Sequence, residues 1–139
     1  MAGQQYTQVL NPLLRRGHAV AYRLEIVSEV REWLHDLRRR DRNTAILVGQ
    51  AVTALLHEGP SLGRPLVDRI KGSRLHNLKE LRPASSGTSE VRILFVFDPE
   101  RRAVLLVAGD KAGQWSTWYE RAIPLAEARY ALHLKERDA

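Results

Sequence analysis

The 139-residue chain sets 22 lysines and arginines against 16 acids, a formal charge of +6, with 44% hydrophobic and 27% charged side chains. That balance fits one globular domain, which at this size buries roughly two-thirds of the surface its unfolded chain exposes, and it excludes a disordered or fibrous chain. Without cysteine there is no disulfide scaffold, thiolate zinc site, iron–sulfur cluster or cysteine nucleophile, and the longest apolar run, Ala103 to Ala108, is far short of the roughly 20 residues that span a bilayer.

Residues 1–21 read as an extension outside the core, with Pro12 and Gly17 as breakers and no basic-then-apolar leader. A single domain is expected over residues 22–139, in a cytoplasmic protein without membrane association. Tyr22 to Val27 alternates as a half-buried strand does. Ser28 is the expected cap of a helix whose apolar positions Val30, Trp33, Leu34 and Leu37 form one face, followed by the basic tract Arg38-Arg-Arg40 and Arg42. That tract suits a solvated helix end, where cations complement the dipole.

Asn43 is the expected cap of a second helix, with Val48, Ala51, Val52 and Leu55 inward and Gly59-Pro60 as its stop. The two form an antiparallel hairpin. Three strands are then expected, Asn77–Arg82, Glu90–Asp98 and Ala103–Lys111, joined by turn-rich segments. In the middle one Val91, Ile93, Phe95 and Phe97 share a face, and Arg92, Leu94 and Val96 the other. A last helix is expected from about Pro124, with Leu125, Ala128 and Leu132 inward. The fold class is α+β, a helical hairpin packed on a small, mainly antiparallel sheet with a C-terminal helix.

No phosphate-binding glycine loop, dinucleotide fingerprint or nucleophile elbow is present. The five histidines are too scattered for a helical metal pair, so neither a metal nor another cofactor is expected. His76 stands out by preceding the strand that carries Arg82. Arg92 and Lys111 lie at polar ends of otherwise apolar strands, which favours a site. Trp115, Trp118 and Tyr119 suit either the stacking of exposed bases or a plug beneath the last helix. The basic excess suits a polyanionic partner.

From Gly63 the chain reads Gly-Arg-Pro-Leu-Val-Asp-Arg-Ile-Lys-Gly-Ser-Arg, then Asn77-Leu-Lys-Glu-Leu-Arg82, Glu90-Val-Arg-Ile-Leu-Phe-Val-Phe97, Val104-Leu-Leu-Val-Ala-Gly-Asp-Lys111 and Trp118-Tyr-Glu-Arg-Ala122. This order resembles the RelE/ParE toxin superfamily of bacterial type II toxin–antitoxin systems, and most closely its HigB-like, phage-derived branch, from Tyr22 onward. The resemblance implies a microbial-ribonuclease-like sheet and metal-independent cleavage of messenger RNA on the ribosome. It implies as partner a helix-turn-helix antitoxin, with operator DNA contacted only through the antitoxin complex.

Carried over residue by residue, Arg92 corresponds to the family's phosphate-binding arginine. Lys111 matches the basic position after the glycine that follows the next strand, and Tyr119 matches the family tyrosine near the terminal helix. Arg82, Lys79, Trp115, Trp118 and His76 would line the RNA groove. Where some relatives carry lysines in the first hairpin strand, this chain has Leu78 and Glu80. The general base therefore stands open between Lys111 and Glu80. Two alternatives remain beside the ribonuclease: a gyrase-poisoning toxin, and a nucleic-acid-binding module that cuts nothing.

Overall fold

The computed structural model describes residues 22–138; the extension expected over residues 1–21 lies outside them. Strand β1 (Arg23–Ile26) leads into helices α1 (Ser28–Arg40) and α2 (Arg42–Glu58), a 3-10 turn follows at Gly59–Ser61, and β2 (Val67–Arg69), β3 (Lys79–Leu81), β4 (Val91–Phe97), β5 (Arg102–Asp110) and α3 (Trp115–Arg137) complete the chain. The sheet order is β1-β5-β4-β3-β2. Only the β1–β5 pair is parallel, because the helical hairpin carries the chain across one sheet face before the strands return. The α+β architecture expected from the sequence is the one observed.

Each face of the sheet has its own core. The alternating residues Val91, Ile93 and Phe95 pack with Val30, Leu34, Leu37, Val48, Val52 and Leu55 of the hairpin. Leu94, Val96, Val104 and Leu106 pack on the opposite side with Trp118, Ala122, Ala126 and Tyr130 of α3. A seven-residue strand buried on both faces is why β4 reads as nearly continuous apolar sequence.

Three local expectations are corrected, and one strand is added. Ser28 is the first helical residue of α1 and Val27 stands at the cap position, while the Ser28 hydroxyl bonds Glu29. The cap of α2 is Asp41, not Asn43: its carboxylate accepts from the Thr44 amide at 3.2 Å and the Thr44 hydroxyl at 2.6 Å. A carboxylate satisfies both donors and complements the positive end of the helix dipole, which an amide does less well.

Strand β2 is not among the elements expected from the sequence, because its three residues show no alternation and form a strand only through pairing with β3. Helix α3 begins at Trp115 and holds Pro124 in its interior. Its inward set is Trp118, Ala122, Ala126 and Tyr130, leaving Leu125 and Leu132 exposed. Small alanines on α3 let it lie close to a sheet that already supplies the bulk. A Cβ on buried Gly109 would collide with the Trp118 indole, so this glycine admits the ring against the strand.

Candidate functional site

The alternation of β3 sends Leu78 to the α3 core and Leu81 to the hairpin core, so Glu80 and Arg82 stand on the α3 side with Leu78. In β4 the same rule places Arg92 beside Leu94 and Val96 on the α3 side. Leu81 pairs with Ile93, which sets Arg82 and Arg92 next to each other just beyond that pair.

Lys111 reaches this face through an irregularity. Leu94 pairs with Val107 but Phe95 with Leu105, so Leu106 is an extra residue in β5. The bulge turns both Leu106 and Val107 toward α3 and shifts the alternation after them, so that Gly109 and Lys111 follow onto the same side. The main-chain amide of Lys111 donates to the Glu90 carbonyl at 3.0 Å, fixing the end of the strand pair.

The first turns of α3 close the cluster. The Tyr119 hydroxyl donates to Glu80 Oε2 at 2.6 Å, and Arg82 Nε donates to Glu80 Oε1 at 2.8 Å. Glu80 is 2% exposed, so both carboxylate oxygens are held by charged or short hydrogen bonds away from water. The Lys111 ammonium lies 5.3 Å from the Tyr119 ring centroid and 5.5 Å from that of Trp115. Arg92 Nη1 donates to its neighbouring Val91 carbonyl at 2.8 Å, and its buried Nε has no hydrogen-bond partner.

Electrostatics follow from this arrangement. Burial, the bond to Glu80 and the Glu80 charge push the Tyr119 phenol up to about 12, against the opposing pull of Arg92 and Arg82. Tyr119 therefore keeps its proton at neutral pH. Burial pulls Arg82 down, but the bond to Glu80 and the charges of Glu80 and Asp68 outweigh it and leave its pKa raised.

Not every residue singled out in the sequence comes here. Lys79 lies on the hairpin side of β3, with its ammonium donating to the Pro60 carbonyl at 3.2 Å, away from the Glu80 cluster. Trp118 is buried in the core beneath α3. His76 is exposed before β3 and takes part in none of the cluster's contacts. Trp115, by contrast, is 70% exposed at the rim.

Two groups escaped the sequence. Asp68, on the unrecognised β2, sits 3.6 Å from Arg82 Nη2. Asp98 has a fully buried side chain that accepts from Arg102 Nε at 2.8 Å and from the Glu100 and Arg102 amides, and it lies 3.0 Å from His133 Nε2. This second group fastens the distal half of α3 to the β4–β5 turn. Burial alone would raise the Asp98 carboxyl, but His133, Arg102 and the two amides outweigh it and hold it below the usual range. Among the described residues no group of three or more histidines and acids is placed to hold a metal, and no helix is long and apolar enough to cross a membrane.

The profile of the phage-derived Gp49-like protein family matches residues 32–131, a span that contains every member of the Glu80 cluster. The chain belongs to this family. Two Mycobacterium tuberculosis (strain ATCC 25618 / H37Rv) proteins are similar to it. The protein named "Putative toxin HigB2" is 52% identical over 110 residues, covering 79% of this chain and 53% of the relative. "Putative toxin HigB3" is 49% identical over 104 residues, covering 75% of this chain and 86% of the relative. The chain thus spans about half the length of the first relative and most of the second. At the level of family, the HigB-like resemblance read from the residues is borne out.

Proposed function

We propose that this chain is the toxin of a type II toxin–antitoxin module and that it cleaves messenger RNA on the ribosome without a metal ion. The observation that carries the reading is the convergence of three cations, Arg82, Arg92 and Lys111, around the Tyr119–Glu80 pair. The HigB names of its relatives support the toxin part of it. Metal-free cleavage has the ribose 2′-oxygen attack the adjacent phosphorus while the bond to the departing 5′-oxygen breaks, leaving a cyclic phosphate and a 5′-hydroxyl. It needs a base for the attacking hydroxyl, cations on the equatorial oxygens and an acid for the leaving oxygen.

Arg92 and Arg82 take the phosphate, each with a planar fork that never loses its charge. Lys111 takes the attacking hydroxyl's proton when it stands as the neutral amine, passing from amine to ammonium in that step, because Glu80, its rival, is already engaged by Arg82 and Tyr119. Tyr119 retains a proton to give the departing 5′-oxygen. Trp115 offers an exposed ring on which an unpaired base stacks. A small helix-turn-helix antitoxin is the partner that silences the toxin and links it to operator DNA, and the cytoplasm is where both meet the ribosome.

The test is induced expression without the antitoxin, followed by mapping of messenger 5′ ends. Growth arrest with new ends inside coding regions, also formed by purified chain on programmed ribosomes in the presence of a chelator, is the expected result. Arrest with intact messages and stalled DNA gyrase would replace the ribonuclease by a gyrase poison.

A further inference from the structure

Strands β2 and β3 set Asp68 directly opposite Glu80. Two carboxylates facing each other across a ladder repel, and the cation that relieves them is Arg82. Its Nε donates to Glu80 Oε1 at 2.8 Å, and its Nη2 lies 3.6 Å from Asp68 Oδ2. Nε and Nη2 belong to the same side edge of the guanidinium plane, so both acids load that edge. The end edge, formed by Nη1 and the second hydrogen of Nη2, meets no acceptor among the described residues, and the side chain is 34% exposed.

Asp68 is itself held in place. Its Oδ1 accepts from the Arg69 amide at 2.9 Å and lies 3.3 Å from Arg64 Nε. The Arg82 amide donates to the Leu66 carbonyl at 2.7 Å, which fixes the backbone from which the guanidinium is aimed. With Glu80 alone, the guanidinium has one anchor and turns about it; with Asp68 it has two and its plane is set.

We infer that Asp68 is a positioning residue: together with Glu80 it turns Arg82 so that the unengaged fork faces the groove and receives an RNA phosphate. The inference rests on the assignment of Arg82 as a phosphate contact in the proposed function. Asp68 touches no substrate, and its contact with Arg82 is longer than a hydrogen bond, so its effect is orientational and modest.

The sign of the effect separates this role from simple charge. Removing a carboxylate from beside a cluster of cations raises the affinity for a polyanion if only net charge matters. A positioning role predicts the reverse. The experiment measures binding of a single-stranded RNA made uncleavable by 2′-deoxy substitution, using the full chain as wild type, Asp68→Asn, Arg82→Ala, the double variant and Asp68→Glu, with melting temperatures recorded in parallel.

Asp68→Asn is expected to weaken binding about fivefold, the scale of a half-exposed ion pair. It should have no further effect in the Arg82→Ala background, and Asp68→Glu, which keeps the charge, should recover part of the loss. Unchanged or tighter binding by Asp68→Asn, or an equal loss with Arg82 absent, overturns the inference. Should Asp68→Asn not fold, Asp68→Glu carries the comparison, since a displaced carboxylate still weakens binding only when Arg82 is present. Wild-type chain that binds the RNA yet never cuts its cleavable counterpart on the ribosome defeats the ribonuclease reading alone, and wild-type chain that binds RNA neither free nor on programmed ribosomes defeats both.

Discussion

Tyr119→Phe removes one hydroxyl and leaves the ring, and with it the packing at the start of α3, in place. The lost bond is a 2.6 Å contact to a carboxylate that is 2% exposed. A hydrogen bond to a charged, buried acceptor contributes roughly 1.5–3 kcal/mol, so the variant should be about 2 kcal/mol less stable at pH 7. For a domain of this length that corresponds to a fall of roughly 8 °C in Tm.

The same residue gives a pH signature. In the unfolded chain the phenol ionises at its ordinary value of 10.0, whereas in the fold it is pushed up to about 12. A raised pKa contributes stability that is fully present below pH 10 and is lost as pH rises through 12, at no more than one proton per molecule. Urea titrations from pH 7 to 12 should therefore show the gap between wild type and Tyr119→Phe narrowing above pH 10. Tyr130, which is also raised, titrates in both proteins and cancels in the difference. Equal stability at pH 7, or a gap that stays constant to pH 12, would refute the claim that the Tyr119 hydroxyl is bound to Glu80.

Arg92→Ala should slow message cleavage by about 100- to 1000-fold, the usual loss on removing one preorganised donor from a transition-state oxyanion, while circular dichroism and antitoxin binding stay as in wild type. Lys111→Ala should lower cleavage more than Glu80→Gln when both are compared at equal folded fraction on ribosome-bound message; the opposite order would make Glu80 the base. Asp98→Asn should cost about 3–5 kcal/mol at neutral pH in chemical denaturation, because it leaves Arg102 without its buried partner. Since the fold lowers the Asp98 pKa from 3.8, that contribution is present above the unfolded value and fades as pH falls through the folded one. The gap between wild type and Asp98→Asn should shrink on acidification below pH 4.

What the sequence determined by itself is what repeats along it. The periodicity of Val30, Leu34 and Leu37, and of Val48, Val52 and Leu55, is enough to specify the hairpin, because a helix places such residues on one face wherever it packs. The alternation in β4 likewise assigned Arg92 to the face that carries the candidate site. The inward face of α3 could not be read so: two of its four buried residues, Ala122 and Ala126, are alanines set between Trp118 and Tyr130, while Leu125 and Leu132 imitate a buried stripe.

Tertiary structure alone decided the rest of the cluster. Asp68 meets Arg82 only because β2 pairs with β3, and the local sequence around Asp68 has no strand signal. Lys111 faces Tyr119 because a single extra residue in β5 reverses the alternation that would otherwise send it to the hairpin side. Asp98 and His133 find each other across 35 positions of chain when α3 folds back over the sheet. Periodicity fixes the face a residue occupies within its own element, whereas the pairing of strands, the placement of a bulge and the return of a helix fix which faces meet.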